Sequence, residues 1–334
     1  MLAKPLSRRA VWVGGACALV VLSIWTSFIL VARISASRTL TPFDIAFLRF
    51  LFAGVAVLPL VAWRWQALCA GLQQPRLRSG AGNDTRSAGT PWWRGLALTM
   101  SAGVGYCALA YSGFFFAPAA HAAVLMPGSL PLWTAVFAWL LLGERLHPLR
   151  AAGLGLIVGG ALLVGGNSLL RAGDGSAIWK GDLLFLGAGM SWSLYGVLCR
   201  SWRVGAVDAT LAVAFGSLIG YVPLYALGVL AGLLPSRLAL APWSEILFQA
   251  VYQGGVTMLI AGLAYTQVVQ TFGPVRTTMM TALVPALAAL AAVPLLGEAL
   301  TPAAMGGLVC VTAGLLIGLR QPTVARPAVV ERPA

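Results

Sequence analysis

YCALAYSGFFFAPAAHAAVLMPGSLPLWTAVFAWLLLGERLHPLRAAGLGLIVGGALLVGG, residues 106–166, has a second copy in the same chain. That copy covers residues 260–320 and reads IAGLAYTQVVQTFGPVRTTMMTALVPALAALAAVPLLGEALTPAAMGGLVCVTAGLLIGLR. The copies align without a gap at an offset of 154 residues. Alanine and leucine coincide by chance in an apolar chain, but prolines, tyrosines and Gly-Glu pairs do not, so we infer an internal duplication. The matched pairs are Tyr111 and Tyr265, Pro131 and Pro285, Glu144 and Glu298, Pro148 and Pro302, Gly153 and Gly307, and Gly160 and Gly314.

The composition is that of a membrane protein. Of the 334 residues, 59% are hydrophobic and 9% are charged, whereas soluble domains carry about 25% charged residues. Apolar stretches of about 20 residues, separated by short charged loops, are typical of transmembrane helices. The net charge of +13 would indicate a nucleic-acid partner for a soluble protein. Because most basic residues here lie in loops, we expect the lipid bilayer as a partner and no nucleic acid.

The sequence shows no catalytic or metal-binding motif. The five cysteines have neither a CxxC pattern nor metal-ligand spacing, so we interpret them as small packing residues. There is no His/Asp cluster, no Gly-x-Ser-x-Gly motif and no nucleotide-binding loop. We therefore expect no metal, no cofactor and no enzymatic activity.

Ten apolar stretches predict an all-α membrane protein of ten transmembrane helices in two sets of five. Predicted helices 1–5 cover about residues 10–32, 43–63, 93–116, 120–142 and 149–166, and helices 6–10 cover about residues 181–199, 208–230, 246–271, 275–296 and 302–319. The expected division is a first repeat at 11–166, a connecting loop at 167–180, a second repeat at 181–319 and a disordered cytoplasmic tail at 320–334.

The basic residues favour one orientation in the membrane. With the N-terminus in the cytoplasm, 16 of the 22 Lys and Arg residues fall on the cytoplasmic side and five on the other side, while Arg49 lies within helix 2. This asymmetry follows the positive-inside rule with both termini in the cytoplasm. We therefore expect a multi-pass protein of the cytoplasmic (inner) membrane.

An odd number of helices in each repeat makes the two repeats inverted with respect to each other. Inverted repeats around a site near the bilayer midplane are a common architecture of secondary transporters. The first parts of the repeats are weaker matches, in which Trp25 and Arg33 align with Trp192 and Arg200.

The repeated motifs resemble a known family. Each half carries Leu-Ala-Tyr, a mid-helix proline, Leu-Gly-Glu-x-Leu-x-Pro and a Gly-rich closing helix, and the stretch from Asp44 to Leu48-Arg49-Phe50 resembles that family's second helix. Over roughly residues 11–319 the chain is similar to the EamA-type permeases of the drug/metabolite transporter superfamily. The resemblance implies an inner-membrane carrier, often an exporter of amino acids, metabolites or drugs, that works by alternating access. It does not imply a particular substrate.

Aromatic and polar side chains at mid-depth in the helices predict a substrate pocket. Buried Tyr and Trp need a partner for their polar atom, and a Gln in hydrocarbon is costly unless it is hydrogen-bonded. Ligand sites are typically apolar pockets with a few directing polar groups, although packing alone is an alternative role for each residue. The candidates are Trp25, Tyr106, Trp133, Trp192, Tyr195, Gln253 and Thr257.

Four residues are candidates for a gate or hinge. Pro131 and Pro285 predict kinks near the middles of helices 4 and 9, which are either hinges lining the transport path or fixed bends. Arg49 is either a functional intramembrane charge or a residue that snorkels to the outer interface. His121 is either a site of proton coupling or a hydrogen-bonded packing residue.

Glu144 and Glu298 are predicted at helix ends. Each follows a Gly and precedes Leu-x-Pro, a pattern that ends one helix and begins the next. The pattern predicts structural corners in which each carboxylate faces the start of the following helix, near Pro148 or Pro302. Gating pairs with nearby arginines are the alternative.

The predicted spans place no carboxylate at mid-membrane. Exporters of cationic drugs usually need an embedded acid, so we favour a neutral, zwitterionic or anionic metabolite, such as an amino acid, as the small-molecule substrate. A multidrug efflux carrier is the alternative, and a non-transporting scaffold or receptor would not explain the duplication. Coupling to protons or another ion stays open. A homodimer also stays open. Gly153, Gly155 and Gly159 on helix 5, with Gly306 and Gly307 on helix 10, allow close helix contact within or between subunits.

Overall fold

The computed structural model describes residues 8–66, 91–144, 148–272, 277 and 280–319. Its helices are α1 (Arg8–Ser35), α2 (Pro42–Trp63), α3 (Pro91–Leu98, Thr99–Gly105 and Tyr106–Phe116), α4 (Ala119–Leu125 and Leu130–Leu142), α5 (Pro148–Ala161, Leu162–Gly166 and Asn167–Leu170), α6 (Ile178–Trp202), α7 (Ala206–Leu230), α8 (Trp243–Gln249, Ala250–Ile260 and Ala261–Phe272), α9 (Val284–Leu296) and α10 (Pro302–Leu319). The middle pieces of α3 and α8 are π-helical, as is Leu162–Gly166 in α5. The predicted tail at 320–334 lies outside the described residues.

The described part of the chain is helical and contains no β-strand, which confirms the predicted all-α class. Seven of its helices are long and apolar enough to cross a membrane: α1, α2 and α4 to α8. The apolar helices α9 and α10 are shorter. Large apolar side chains such as Leu224 and Leu227 of α7 are exposed, as expected for a surface that faces lipid.

The start of α2 shows how the sequence sets a helix boundary. Pro42 is the first residue of the helix. A backbone N–H at this position would have no acceptor within the helix, so proline, which lacks one, is well tolerated there. Thr41 and Asp44 form a capping box, with the Asp44 N–H donating to Thr41 Oγ1 (3.2 Å) and the Thr41 N–H donating to Asp44 Oδ2 (2.9 Å). The buried Asp44 carboxylate also accepts hydrogen bonds from Tyr225 and Ser236, so it joins α2 to α7 and the following loop.

The repeated prolines lie directly after interruptions of the helices. The two parts of α4 are separated at residues 126–129, and Pro131 is the second residue of the second part. Pro285 is likewise the second residue of α9, after a turn at residues 282–283. The first N–H groups of a helix have no intrahelical acceptor, so proline is tolerated there. The predicted mid-helix kinks are thus corrected to breaks that precede the prolines.

Helices α5 and α10, which correspond in the two repeats, pack through their glycines. A methyl group on Gly153 would lie 2.7 Å from the carbonyl oxygen of Gly314, and one on Gly160 would lie 2.7 Å from that of Gly307. An early residue of each helix therefore meets a late residue of the other. The two copies of the same sequence element run antiparallel where they touch.

We expect Gly160→Ala to destabilise the fold and Gly159→Ala to leave it unchanged. The methyl group added at position 160 would force α5 and α10 apart, and overpacking of this kind costs about 1–3 kcal/mol. A methyl group added at Gly159 would meet nothing within 4 Å apart from the adjacent backbone of its own helix. The measurement is the midpoint of thermal unfolding of the purified protein in detergent. Equal midpoints for the two variants would contradict the close antiparallel contact.

Candidate functional site

A central cavity of about 140 Å³ lies between the two repeats. Helices α1 to α4 line it from the first half of the chain, and α6, α8, α9 and α10 line it from the second. Its walls are formed by Trp25, Phe28, Ile29, Arg49, Tyr106, Met126, Pro127, Leu130, Pro131, Trp192, Thr257, Thr281, Ala282, Val284, Pro285 and Leu315. A second hollow of about 330 Å³ lies where the end of α1 meets the start of α8, and it contains none of the predicted site residues.

The structure brings together seven of the predicted site residues in this cavity. Four predicted pocket residues line it, namely Trp25, Tyr106, Trp192 and Thr257. Three predicted gate or hinge residues line it as well, namely Arg49, Pro131 and Pro285. Trp133, Tyr195, Gln253 and His121 lie outside its lining.

Aromatic rings form much of the cavity wall. The Tyr106 ring centroid lies 4.9 Å from that of Trp192 and 6.4 Å from that of Phe28. Trp25 of α1 stacks on Tyr265 of α8, with 5.4 Å between centroids and 23° between planes. Aromatic pairs at these distances hold each other in place. The wall therefore offers flat, oriented apolar surfaces to a ligand.

Arg49 is the charged side chain among the described lining residues. It is only 5% exposed, and its Nη1 donates to Tyr111 Oη at 3.2 Å. Tyr111 in turn donates to Oε1 of the fully buried Gln253 at 2.9 Å, on the π-helical part of α8. This chain of hydrogen bonds joins α2, α3 and α8 and directs the guanidinium into the cavity. The alternative in which Arg49 snorkels to the outer interface is therefore wrong.

The remaining predicted pocket residues stand behind the wall. The Tyr195 ring centroid lies 5.5 Å from that of Trp192, so Tyr195 supports a ring that lines the cavity. Gln253 accepts a hydrogen bond from Tyr111, which in turn holds the guanidinium of Arg49. The indole N–H of Trp133 is buried and meets no hydrogen-bond acceptor within the described ranges.

His121 belongs to a separate buried cluster. Its Nδ1 lies 2.8 Å from Oδ1 of Asp182, and Ser168 donates a hydrogen bond to the other oxygen of the same carboxylate. All three side chains are buried, and they join α4, α5 and α6. Asp182 and Ser168 were not predicted as partners of this histidine. A role of His121 in proton coupling stays a prediction.

Glu144 and Glu298 pair with arginines of the opposite repeat. Glu298 Oε1 accepts a hydrogen bond from Arg33 Nε (2.7 Å), and its Oε2 accepts one from the N–H of Ala119 (2.8 Å). Glu144 accepts a hydrogen bond from Arg200. The prediction that each carboxylate faces the following helix is wrong for Glu298, because the end of α9 packs against α1 and the start of α4.

These two ion pairs are related by the duplication. Arg33 aligns with Arg200, and Glu298 aligns with Glu144. Glu298 contacts the first residue of α4, whereas Glu144 follows the last residue of α4, so the pairs are separated by the length of that helix. The duplicated sequence thus produces two equivalent contacts between the halves, one at each end of α4.

The EamA-like transporter family matches residues 12–166 and 179–320, which correspond to the two repeats. The chain belongs to the EamA-like transporter family. It is similar to the uncharacterized transporter YyaM of Bacillus subtilis (strain 168), with 25% identity over 183 residues, 54% of this chain and 58% of that protein. The match therefore spans little more than half the length of this relative. A solved structure described only as "Crystal structure of protein" shares the fold, with a TM-score of 0.55, 21% identity and coverage of 91% of this chain and 95% of that one.

Membership of the EamA-like family makes this a multi-pass protein of the cell membrane, in a family of transporters rather than enzymes. The seven long apolar helices of the described residues suit a lipid environment. Among the described residues, no group of three or more His, Cys, Asp or Glu side chains could hold a metal ion.

Several residues of the site in this EamA-like chain were not predicted. Tyr111, which holds Arg49 from outside the cavity lining, could have been found as one of the repeated tyrosines. The unpredicted residues of the lining itself are almost all apolar. Transmembrane helices are apolar on every face, so the sequence does not indicate which apolar residue faces a cavity. These lining residues are Phe28, Ile29, Met126, Pro127, Leu130, Thr281, Ala282, Val284 and Leu315.

Proposed function

We propose that this protein is a secondary active transporter that exports a small metabolite, such as an amino acid or a related compound, across the cytoplasmic membrane by alternating access. The observation that carries the proposal is the central cavity, which helices of both repeats enclose next to the two helix breaks. A site shared by two repeats opens to either side when one repeat moves against the other. Family membership supports transport as the activity.

The proposed topology has ten membrane-spanning helices in two inverted repeats, at 11–166 and 181–319, with both termini in the cytoplasm. The distribution of Lys and Arg supports this orientation. The antiparallel contact between α5 and α10 supports the inversion.

The two repeat-related ion pairs are the gates in this proposal. In the proposed orientation, the pair of Arg33 and Glu298 closes the outer end, and the pair of Arg200 and Glu144 closes the cytoplasmic end. Each pair joins one repeat to the other, so each must open when the repeats separate at its end. The helix breaks that precede Pro131 and Pro285 are the proposed hinges.

A multidrug efflux carrier is the second candidate. The aromatic wall supports it, because flat lipophilic molecules stack on such rings. However, the described lining residues include no carboxylate to hold a cationic drug, so we favour a metabolite. A scaffold or receptor role does not account for the shared cavity. Proton coupling through His121 and a homodimer along Gly155 and Gly159 remain hypotheses, and a methyl group added at either glycine would meet nothing within 4 Å in the single chain apart from the adjacent backbone of its own helix.

The test is the profile of small molecules that cells release into the medium. Cells that overproduce the wild type are compared with cells that carry the Tyr106→Ala, Trp192→Ala double variant. Loss of two half-buried aromatic side chains from the wall of a binding site costs about 2 kcal/mol or more, so we expect at least about tenfold lower export of the cargo. The control is Trp139→Ala, because Trp139 is 59% exposed and lies away from the cavity.

The outcomes separate the activity from the site. A compound whose release is increased by the wild type and by Trp139→Ala, but not by the double variant, supports both the transport activity and the aromatic site. A compound whose release is increased equally by all three proteins would support transport, but it would show that the aromatic wall is not part of the binding site. A profile identical to that of cells without the protein would contradict export.

A further inference from the structure

Arg49 has no carboxylate partner in the described part of the chain. A buried, unpaired guanidinium is costly, so its counter-ion is expected to come from elsewhere. Every described carboxylate is engaged with other groups or lies exposed. Asp44 contacts Tyr225 and Ser236, Glu144 contacts Arg200, Asp182 contacts His121 and Ser168, Asp208 contacts Arg64, Glu245 accepts from the Leu40 N–H, Glu298 contacts Arg33, and Asp174 is exposed.

One edge of the Arg49 guanidinium, at Nη2, meets no described partner. Nη1 donates to Tyr111 and Nε is buried, whereas Nη2 makes no hydrogen bond within the described ranges. A guanidinium N–H donates a charge-assisted hydrogen bond to a carboxylate oxygen. Because Tyr111 is itself held by Gln253, the guanidinium is fixed with this edge unoccupied.

The space beside this edge suits one aromatic ring. An apolar cavity of about 150 Å³ is large enough to bind benzene, and the central cavity measures about 140 Å³. Its wall carries the oriented rings of Tyr106 and Trp192, 4.9 Å apart. An apolar wall with one charged group is the pattern of a site that binds a molecule with an apolar body and one polar head.

We propose that the free edge of Arg49 is an anion subsite, and that the cargo is an organic carboxylate whose body is one aromatic ring or an apolar group of similar size. This inference names the substrate class and rests on the proposed transport function, but the binding site itself can be tested without transport. The structure favours an anion over a cation because Arg49 contributes a positive charge and the described lining contributes no negative one.

The experiment measures thermal unfolding of the purified full-length protein in detergent, with three probes that share a phenyl ring. Phenylacetate carries a negative charge, phenylacetamide is neutral and phenethylamine is positive. We expect phenylacetate alone to raise the unfolding midpoint of the wild type in a saturable manner. The Arg49→Gln variant should bind phenylacetate at least about tenfold more weakly, because the charge-assisted hydrogen bond is lost. Acetate, which has the carboxylate but no ring, shows how much of the binding depends on the ring.

Two further variants test the proposal even if Arg49→Gln does not fold. Arg49→Lys keeps the charge but not the planar guanidinium that Tyr111 orients, so an intermediate affinity is expected. Tyr111→Phe keeps the guanidinium but removes the bond that orients it, so phenylacetate should bind more weakly while the preference for the anion persists. A phenylacetate shift that is absent from the wild type, or unchanged in Arg49→Gln, would overturn the anion subsite. A larger shift with phenethylamine would overturn it too.

The experiments distinguish an error in the proposed anion subsite from an error in the proposed export function. If phenylacetate binds through Arg49 but cells release no additional compound, the subsite stands and the proposed export falls. If wild type and Arg49→Gln export the same carboxylate equally well, export stands and the subsite falls.

Discussion

Glu298→Ala is expected to slow export of the cargo by at least about tenfold without preventing insertion into the membrane. Glu298 is 15% exposed and accepts hydrogen bonds from Arg33 Nε and from the N–H of Ala119. A hydrogen bond to a charged group contributes about 1.5–3 kcal/mol. Its loss would shift the balance between closed and open outer gates roughly 10- to 150-fold. A carrier that cannot close its outer end does not reload from the cytoplasm.

The matched control is Glu144→Ala at the other end of α4. There the side chains are far more exposed, 52% for Arg200 and 44% for Glu144, and exposed ion pairs contribute about 0–1 kcal/mol. We therefore expect at most a fewfold loss of export. Both variants are measured at equal amounts of protein in the membrane. The reverse order, with Glu144→Ala the more damaging substitution, would contradict the assignment of the less exposed pair, Arg33 and Glu298, as the stronger gate.

Ala282→Phe is expected to abolish export by filling the central cavity. Ala282 is only 7% exposed and lines the cavity just before α9. A phenyl ring at this position would take the space that we assign to the cargo, and a built-in clash of this kind blocks binding. Export is measured for the compound identified in the release profile, and the unfolding midpoint is measured alongside it.

The control for this prediction is the neighbouring substitution Leu283→Phe. Leu283 is 48% exposed, so an added ring there faces the surroundings instead of the cavity. We expect export close to that of the wild type. Normal export by Ala282→Phe, with both variants folded, would show that the cargo does not use this cavity.

The repeat made much of the architecture predictable. Proline, tyrosine and Gly-Glu pairs at a constant offset identified the duplicated helices, and Pro131 and Pro285 do border the cavity. The positions of the helix breaks were harder to predict. Pro127-Gly128 and Pro131 indicate that the helix is interrupted, but not at which residues. In the structure the break of α4 falls at residues 126–129, and Pro131 begins the next segment.

The partners of the charged residues could not be predicted from spacing. Arg49 meets Tyr111, 62 residues away, and Glu298 meets Arg33, 265 residues away. The first contact depends on how α2 and α3 pack within one repeat and the second on how the two repeats pack, and local sequence patterns encode neither. For the same reason depth along a helix did not distinguish Trp133 from Trp192. Both were expected at mid-depth, but only Trp192 lines the cavity.

The most direct test of alternating access is the reactivity of a single cysteine in the cavity wall. Thr257 lines the cavity, and Thr257→Cys in a chain whose five native cysteines are replaced by alanine provides the reporter. Sealed vesicles of each orientation are treated with a thiol reagent that does not cross membranes. We predict reaction from both sides, with faster labelling from outside in Glu298→Ala, while the vesicles stay tight to the reagent. Reaction from one side only, or free passage of the reagent, would contradict the account.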